Sequence, residues 1–245
     1  MKNKVLPILV ASLALLLLWQ GASLALDKAF LPTPGASFAA FVGLCADGEM
    51  WPAFRISALR VIVSTLLGVA LAVPLGMVCG RSALLYRIAS PLVAVLYPLP
   101  KIVFLPILVV LFGLGNLPKI ILITLIIFFQ IFVVVADAAY QLPQESVDAM
   151  YTLTRKRWAI FRHLLLPACL PSVLTSLRIS VGTSIAVLFF AETFASFDGL
   201  GYLILDGMER REYADMFAGI IGMALLGILL YECLQLIEKR CCRWL

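Results

Sequence analysis

Apolar residues in this chain fall in long unbroken runs, not in the alternating pattern of a half-buried strand or the one-sided stripe of a surface helix. A run of about 20 such residues spans the bilayer hydrocarbon as a helix, which satisfies its own backbone hydrogen bonds there. The first run, 5–26, follows Lys2 and Lys4. It is longer than a signal-peptide core, so it fits a retained first span better than a cleaved leader, although Ser23 and Ala25 are small enough for a cleavage site. Residues 27–51 carry Pro32, Pro34, Gly35, Asp47, Gly48 and Glu49, which predicts an outer loop with a short interfacial helix. A second span is expected over 58–79, stopping at Arg81 and Arg87.

The third run, 89–111, contains Pro98, Pro100 and Pro106. Proline removes a backbone donor and pushes the preceding residue out of the helical region, so Tyr97-Pro98-Leu99-Pro100 predicts a break near mid-span. Irregular backbone at that depth must be covered by protein or line a wet cavity. After the turn Gly113-Leu114-Gly115-Asn116, further spans are expected over 119–139, 170–191 and 214–237. They are separated by a polar stretch at 140–163 and a glycine-rich loop at 196–213. The expectation is an all-α polytopic membrane protein with six transmembrane helices. Residues 1–57 would form a first helix and outer loop, and 58–245 the main transmembrane domain.

Composition agrees: 63% of the 245 residues are hydrophobic and 13% charged, more apolar surface than a soluble domain of this size buries. The formal charge of +5 does not point to nucleic acid, because the basic residues stand at the ends of apolar runs. Eleven fall on one side (Lys2, Lys4, Arg81, Arg87, Arg155, Lys156, Arg157, Arg162, Lys239, Arg240, Arg243). Five fall on the other (Lys28, Arg55, Lys119, Arg210, Arg211). Positive charge is retained on the cytoplasmic face, so both termini and 140–163 are expected in the cytoplasm. The six cysteines lack metal or disulfide spacing and read as small apolar side chains. There is no phosphate-binding GxxxxGK[ST] loop, and the single histidine, His163, has no nucleophile and acid beside it, so neither nucleotide binding nor catalysis is expected of this chain.

The stretch 140–163 is the most informative. Pro143 with Glu145 and Asp148 suits a helix N-terminus, where carboxylates meet the positive end of the dipole. Val147, Met150, Tyr151 and Thr154 recur at helical spacing, and Trp158, Phe161 and Leu165 repeat the pattern beyond Arg155-Lys156-Arg157. Two short amphipathic helices are expected, suited either to a partner's groove or to a surface-lying connector among lipid head groups. Gly68, Ala72 and Gly76 form a small-residue stripe on the second span, a face for close helix packing.

Anchored on Leu166-Pro167, the same stretch resembles the EAA motif of permease subunits of bacterial ABC importers: Asp148, Ala149 and Met150 stand at Glu-Ala-Ala, Thr154 at the glycine and Leu164 at the aliphatic position. Thr154 lacks the freedom of glycine at positive φ, so the bend between the two helices is expected to differ. Other segments resemble the subgroup serving nitrate, sulfonate, taurine and thiamine-precursor importers. These are Leu31-Pro32-Thr33-Pro34, Ser57-Ala58-Leu59-Arg60, Pro98-Leu99-Pro100-Lys101, Phe112-Gly113-Leu114-Gly115, Leu177-Arg178, Ala191-Glu192 and Gly199-Leu200-Gly201-Tyr202.

The resemblance implies a type I importer permease in the bacterial inner membrane. It implies a homodimer, two ATP-binding subunits docked on the cytoplasmic face, and a periplasmic or lipid-anchored solute-binding protein. ATP would be bound by the partner subunit, and no cofactor by this chain. Glu145, Asp148, Ala149, Met150, Thr154, Arg155, Trp158, Phe161, Leu166 and Pro167 would carry the coupling contact, and the segment at Tyr202 would be a re-entrant external gate.

Charges within spans are expensive and mark function by default. Arg60 and Glu192 lie near the outer face and would brace a gate as a pair or snorkel to the interface; Arg178 would pair with Asp137 or Glu232 or line the pathway. Lys101, just after the proline break, would face a cavity and favour a small anionic solute. The rival readings are an ATP-independent secondary transporter or channel, and a membrane scaffold that recruits a cytoplasmic partner.

Overall fold

The computed structural model describes residues 5–194 and 196–242; Lys2, Lys4 and Arg243 of the charge count lie outside them. The described residues form eleven α-helices with two short irregular turns and no strand. The first is α1 (Val5–Leu26), followed by α2 (Pro34–Ala46). Thr33 caps α2 by accepting the Ala36 N–H, with Pro34 pre-set for the first turn. α3 (Met50–Arg81) begins eight residues before the expected second span, because nothing in Met50–Ser57 stops a helix. α4 (Ala83–Leu96) ends at the proline pair, where the chain turns 80° before a 3-10 turn (Lys101–Phe104) and α5 (Leu105–Phe112). The third apolar run is therefore two half-length helices. Five helices are long and apolar enough to cross a membrane, and this bent pair makes up to six.

α6 (Asn116–Tyr140) leads to α7 (Gln144–Leu153). The expectation of two short helices in 140–163 is corrected beyond this point. α8 (Arg157–Ile160) and a wide turn (Phe161–Leu165) run straight into α9 (Leu166–Phe194), giving one 38-residue helix from Arg157. In the wide turn the Leu166 N–H reaches back five residues to the Phe161 carbonyl. Pro167 explains it: its ring would strike the carbonyl four residues earlier, and one widened turn relieves the clash without breaking the helix. The bend falls instead at Thr154, with φ −159° and ψ 140°. That is extended backbone, open to any residue, so the missing glycine costs nothing here. α10 (Leu200–Glu209) and α11 (Tyr213–Cys241) complete the chain.

The chain folds as two compact units, Met1–Ser57 with Glu192–Leu226, and Ala58–Ala191 with Gly227–Leu245. In the first unit, Met50, Leu200, Ile204, Ala218 and Met223 form the core. Small residues let α10 lie close on α11: a Cβ on Gly219 would fall 2.7 Å from Ile204, and one on Gly207 2.7 Å from the Met216 nitrogen. α1 is held at its end, where the Trp19 indole N–H donates to the Pro32 carbonyl at 3.0 Å and stacks on Phe217, while its leucines stay exposed as a lipid-facing surface requires.

In the second unit the expected stripe packs α3 on α6. Gly68 meets Ile127, Ala72 is fully buried, Gly76 meets Val135, and Gly80 extends the row onto the Ala136 carbonyl. A Cβ at Gly80 would overlap that carbonyl oxygen and sit 2.8 Å from the Ala139 Cβ and 2.9 Å from the Tyr140 nitrogen, all rigid parts of α6. Gly80→Ala is expected to destabilise the chain by about 2 kcal/mol despite alanine's better helix propensity, since the helices must separate. Thermal unfolding in nanodiscs measures this; an unchanged midpoint would mean that α3 and α6 do not touch here.

Candidate functional site

Glu192 is fully buried near the end of α9, and it accepts hydrogen bonds from two places far apart in sequence. The Ser57 hydroxyl faces both of its oxygens at 2.8 and 2.9 Å, and the Gly201 N–H donates to Oε2 at 2.8 Å. Ser57 Oγ in turn accepts the Leu200 N–H at 2.9 Å. Leu200 and Gly201 open α10, so the carboxylate sits on the positive end of that helix, and the first-turn donors that a helix leaves bare are used. Gly199 makes the approach possible. Its φ of 98° is left-handed, and a Cβ there would fall 2.5 Å from the Glu192 carboxyl carbon. Three separated motifs, at Ser57, Ala191-Glu192 and Gly199-Leu200-Gly201, are thereby one knot. Tyr202, one residue on, lines a hollow with Phe197, Asp198 and Asp206.

Arg60, also fully buried, donates from Nε to the Asn116 side-chain oxygen at 2.8 Å, at the start of α6. Ser64 continues this polar seam between α3 and α6, its one hydroxyl proton shared between the Arg60 and Ile120 carbonyls, and Thr124 donates back to the Ser64 carbonyl. Lys119 reaches the Gly115 carbonyl at 2.7 Å. Ser176, Ser180 and Ser184 on α9 each bond a carbonyl one turn back, so this face of the helix is polar in composition but has its hydroxyls satisfied.

Arg178 does pair, but with neither expected carboxylate. It meets Glu238 of α11 at 3.0 Å and lies 6.0 Å from the centre of the Tyr231 ring. Asp137 instead accepts the Tyr86 hydroxyl at 2.8 Å, and Tyr86 stacks on Tyr140 with ring centres 4.2 Å apart. The expected span 214–237 stops one residue short of Glu238, whereas α11 continues to Cys241 and brings it level with Arg178.

Lys101 closes the end of α4. Its ammonium donates to the Leu96 and Tyr97 carbonyls at 3.2 and 3.0 Å, with its charge 4.9 Å from the Phe129 ring centre and 5.5 Å from that of Tyr97. It also lines an open cleft that holds Gln130 and Thr183. Neither residue was singled out in the sequence, although Gln130 is the one polar side chain in the run 125–136, which is a usable signal.

On α7, Val147 is buried, while Glu145, Asp148 and Ala149 are exposed and Met150 is half-buried. Gln144 ties this helix to its neighbours, accepting from Arg81 at 3.2 Å and donating to Asp148 at 2.9 Å. Thr154 is half-buried and Arg155 exposed at the bend; Trp158 is exposed and stacks on Phe161, with centres 5.4 Å apart, at the start of the long helix. Leu166 and Pro167 lie in the first turn of α9. His163 is exposed in the wide turn. All six cysteines are unpaired, and beyond α11 desolvation, then the nearby Cys241 and Glu238, raise the pKa of the Cys242 thiol, which disfavours a reactive thiolate. No group of three or more His, Cys, Asp or Glu that could hold a metal ion occurs among the described residues.

Apolar crossing helices, intramembrane charges satisfied within the protein, and one polar helix standing clear of the apolar runs define a multi-pass membrane transport subunit. Residues 72–241 match the family model described as binding-protein-dependent transport system inner membrane component, and the chain belongs to that family. It is 28% identical to the taurine transport system permease protein TauC of Escherichia coli, over 96% of this chain and 88% of that one. It is also 28% identical to the putative aliphatic sulfonates transport permease protein SsuC of Bacillus subtilis, over 100% and 87%. To the nitrate import permease protein NrtB of Leptolyngbya laminosa it is 27% identical, over 79% and 69%. A solved structure of the MetNI methionine ABC transporter in an inward-facing conformation shares the fold, with a TM-score of 0.65 at 20% identity over 78% of this chain and 97% of that one. The chain is thus an ABC importer permease, a transport subunit and not an enzyme. With that, the readings as an ATP-independent carrier and as a scaffold fall away.

Proposed function

We propose that two copies of this chain form the pathway of an importer for a small oxyanion, driven by two ATP-binding subunits gripping α7 and loaded by a solute-binding protein on the opposite face. The observation that carries the coupling part is the geometry of α7: one buried anchor, Val147, beneath an exposed surface bearing Asp148 and Ala149. The Gln144 to Arg81 contact ties that helix to the end of α3. A push on α7 is therefore delivered to helices that line the bundle. The excess of basic residues beside α7 supports a cytoplasmic position for it, and the same count supports cytoplasmic termini and an outward α10. Phosphate-like charge is not required of the solute; taurine, sulfonates and nitrate, the cargoes in the relatives' names, share negatively charged oxygens, and the cation at Lys101 suits them.

Reconstitution tests the whole reading. Proteoliposomes holding this chain with its ATPase and binding protein are expected to hydrolyse ATP faster when sulfonate-loaded or nitrate-loaded binding protein is added, and to accumulate the anion. Accumulation that continues without ATP would overturn the assignment.

A further inference from the structure

Resting on the oxyanion reading above, we propose that the cleft between the α4 break, α6 and α9 is a transit site for an organic monoanion, with Gln130 and Thr183 as its selectivity residues beside Lys101. The cleft has a volume of about 330 Å³, and no carboxylate lines it. Its polar atoms are donors or can become donors. The Lys101 ammonium spends two of its three N–H bonds on the Leu96 and Tyr97 carbonyls, leaving the third. The Gln130 amide meets Thr183 Oγ1 at 3.3 Å, and its other end, Oε1, is buried with no hydrogen-bond partner among the described residues.

Because the Gln130 amide donates to it, the Thr183 hydroxyl keeps its own proton for an incoming anion, and the second N–H of the same amide nitrogen is left over. The remaining walls include Phe129, Ala186 and Phe190, which suit a short aliphatic chain better than a naked inorganic ion. Lipid does not face such a surface: an ammonium, an amide and a hydroxyl grouped on the outside of a membrane helix bundle need water or protein opposite them. The cleft therefore faces the shared pathway of the assembled importer, and the anion's oxygens meet Lys101, Gln130 and Thr183 while its carbons lie on Phe129 and Phe190.

The test uses proteoliposomes carrying the complete importer, with labelled nitrate, ethanesulfonate and butanesulfonate as probes and solute moved per ATP hydrolysed as the readout. Gln130→Leu and Thr183→Val are each expected to lower that ratio for the sulfonates at least tenfold. Ala186→Leu, at an exposed position that shortens the cleft, is expected to cut butanesulfonate relative to ethanesulfonate at least fivefold and to spare nitrate. A purely structural role would not shift the chain-length preference, and Ala186→Leu remains informative if the Gln130 variant fails to fold. If the unaltered importer moves none of the three anions, the oxyanion reading falls and this site with it. If it moves a sulfonate and Ala186→Leu keeps the original chain-length ratio, the cleft is not the transit site, although the oxyanion reading stands.

Discussion

Replacing Ala149 by arginine is expected to abolish ATP-driven uptake while leaving the folded chain intact. Ala149 is exposed on α7, where the Thr152 hydroxyl donates to its carbonyl, a contact the substitution retains. Arginine is close to alanine in helix propensity, and a surface change of this kind moves stability by no more than about 0.5 kcal/mol. In a partner's groove the same side chain adds bulk and an unpaired charge in a desolvated place. A penalty of about 3 kcal/mol follows, or roughly a hundredfold in affinity. Co-purification of the ATPase with the variant, followed by uptake, measures both. An Ala149→Arg chain that still brings down its ATPase and transports at the original rate would remove α7 from the coupling path.

The second large effect is expected at Glu192. Glu192→Leu leaves the Gly201 N–H and the Ser57 hydroxyl without the carboxylate that receives them, and strips the charge from the N-terminus of α10. Hydrogen bonds to a charged group and the lost cap together make the cost about 3 kcal/mol. Glu192→Gln retains an acceptor oxygen and is expected to lose less than half of that. Gly199→Ala should resemble the leucine variant, because it forces a left-handed φ on alanine and pushes a methyl into the carboxylate. Thermal unfolding gives the size of each loss. Hydrogen exchange of Leu200–Glu209 locates it: exchange that stays as slow as in the unaltered chain would show that this knot does not hold α10. If α10 is the outer gate, the same variants should leak solute in the absence of ATP.

Much of the site was visible before folding, because a charge in an apolar run stands out against its neighbours. Arg60, Lys101, Arg178 and Glu192 were marked by that contrast alone, and the break at Tyr97-Pro98-Leu99-Pro100 by the chemistry of proline. Their partners were not visible. Ser57 and Glu192 are 135 residues apart, and Arg178 and Glu238 are 60 apart. Serine, asparagine and tyrosine are common enough beside apolar runs that nothing marked Ser57, Asn116 or Tyr86 as the partner of a charge until packing put them opposite one.

The linear order of residues determined where the apolar spans lie and where the third one breaks, because span length and proline placement act within a few turns of the chain. It determined too that α3 would present a small-residue face, since residues four apart share a side of a helix. Which helix fills that face, which carboxylate Arg178 meets and which helix end Glu192 neutralises depended on rotation and depth of one helix against another. A shift of one turn, about 5.4 Å, exchanges one partner for the next with no change in the hydrophobic pattern, so only the tertiary structure decided them.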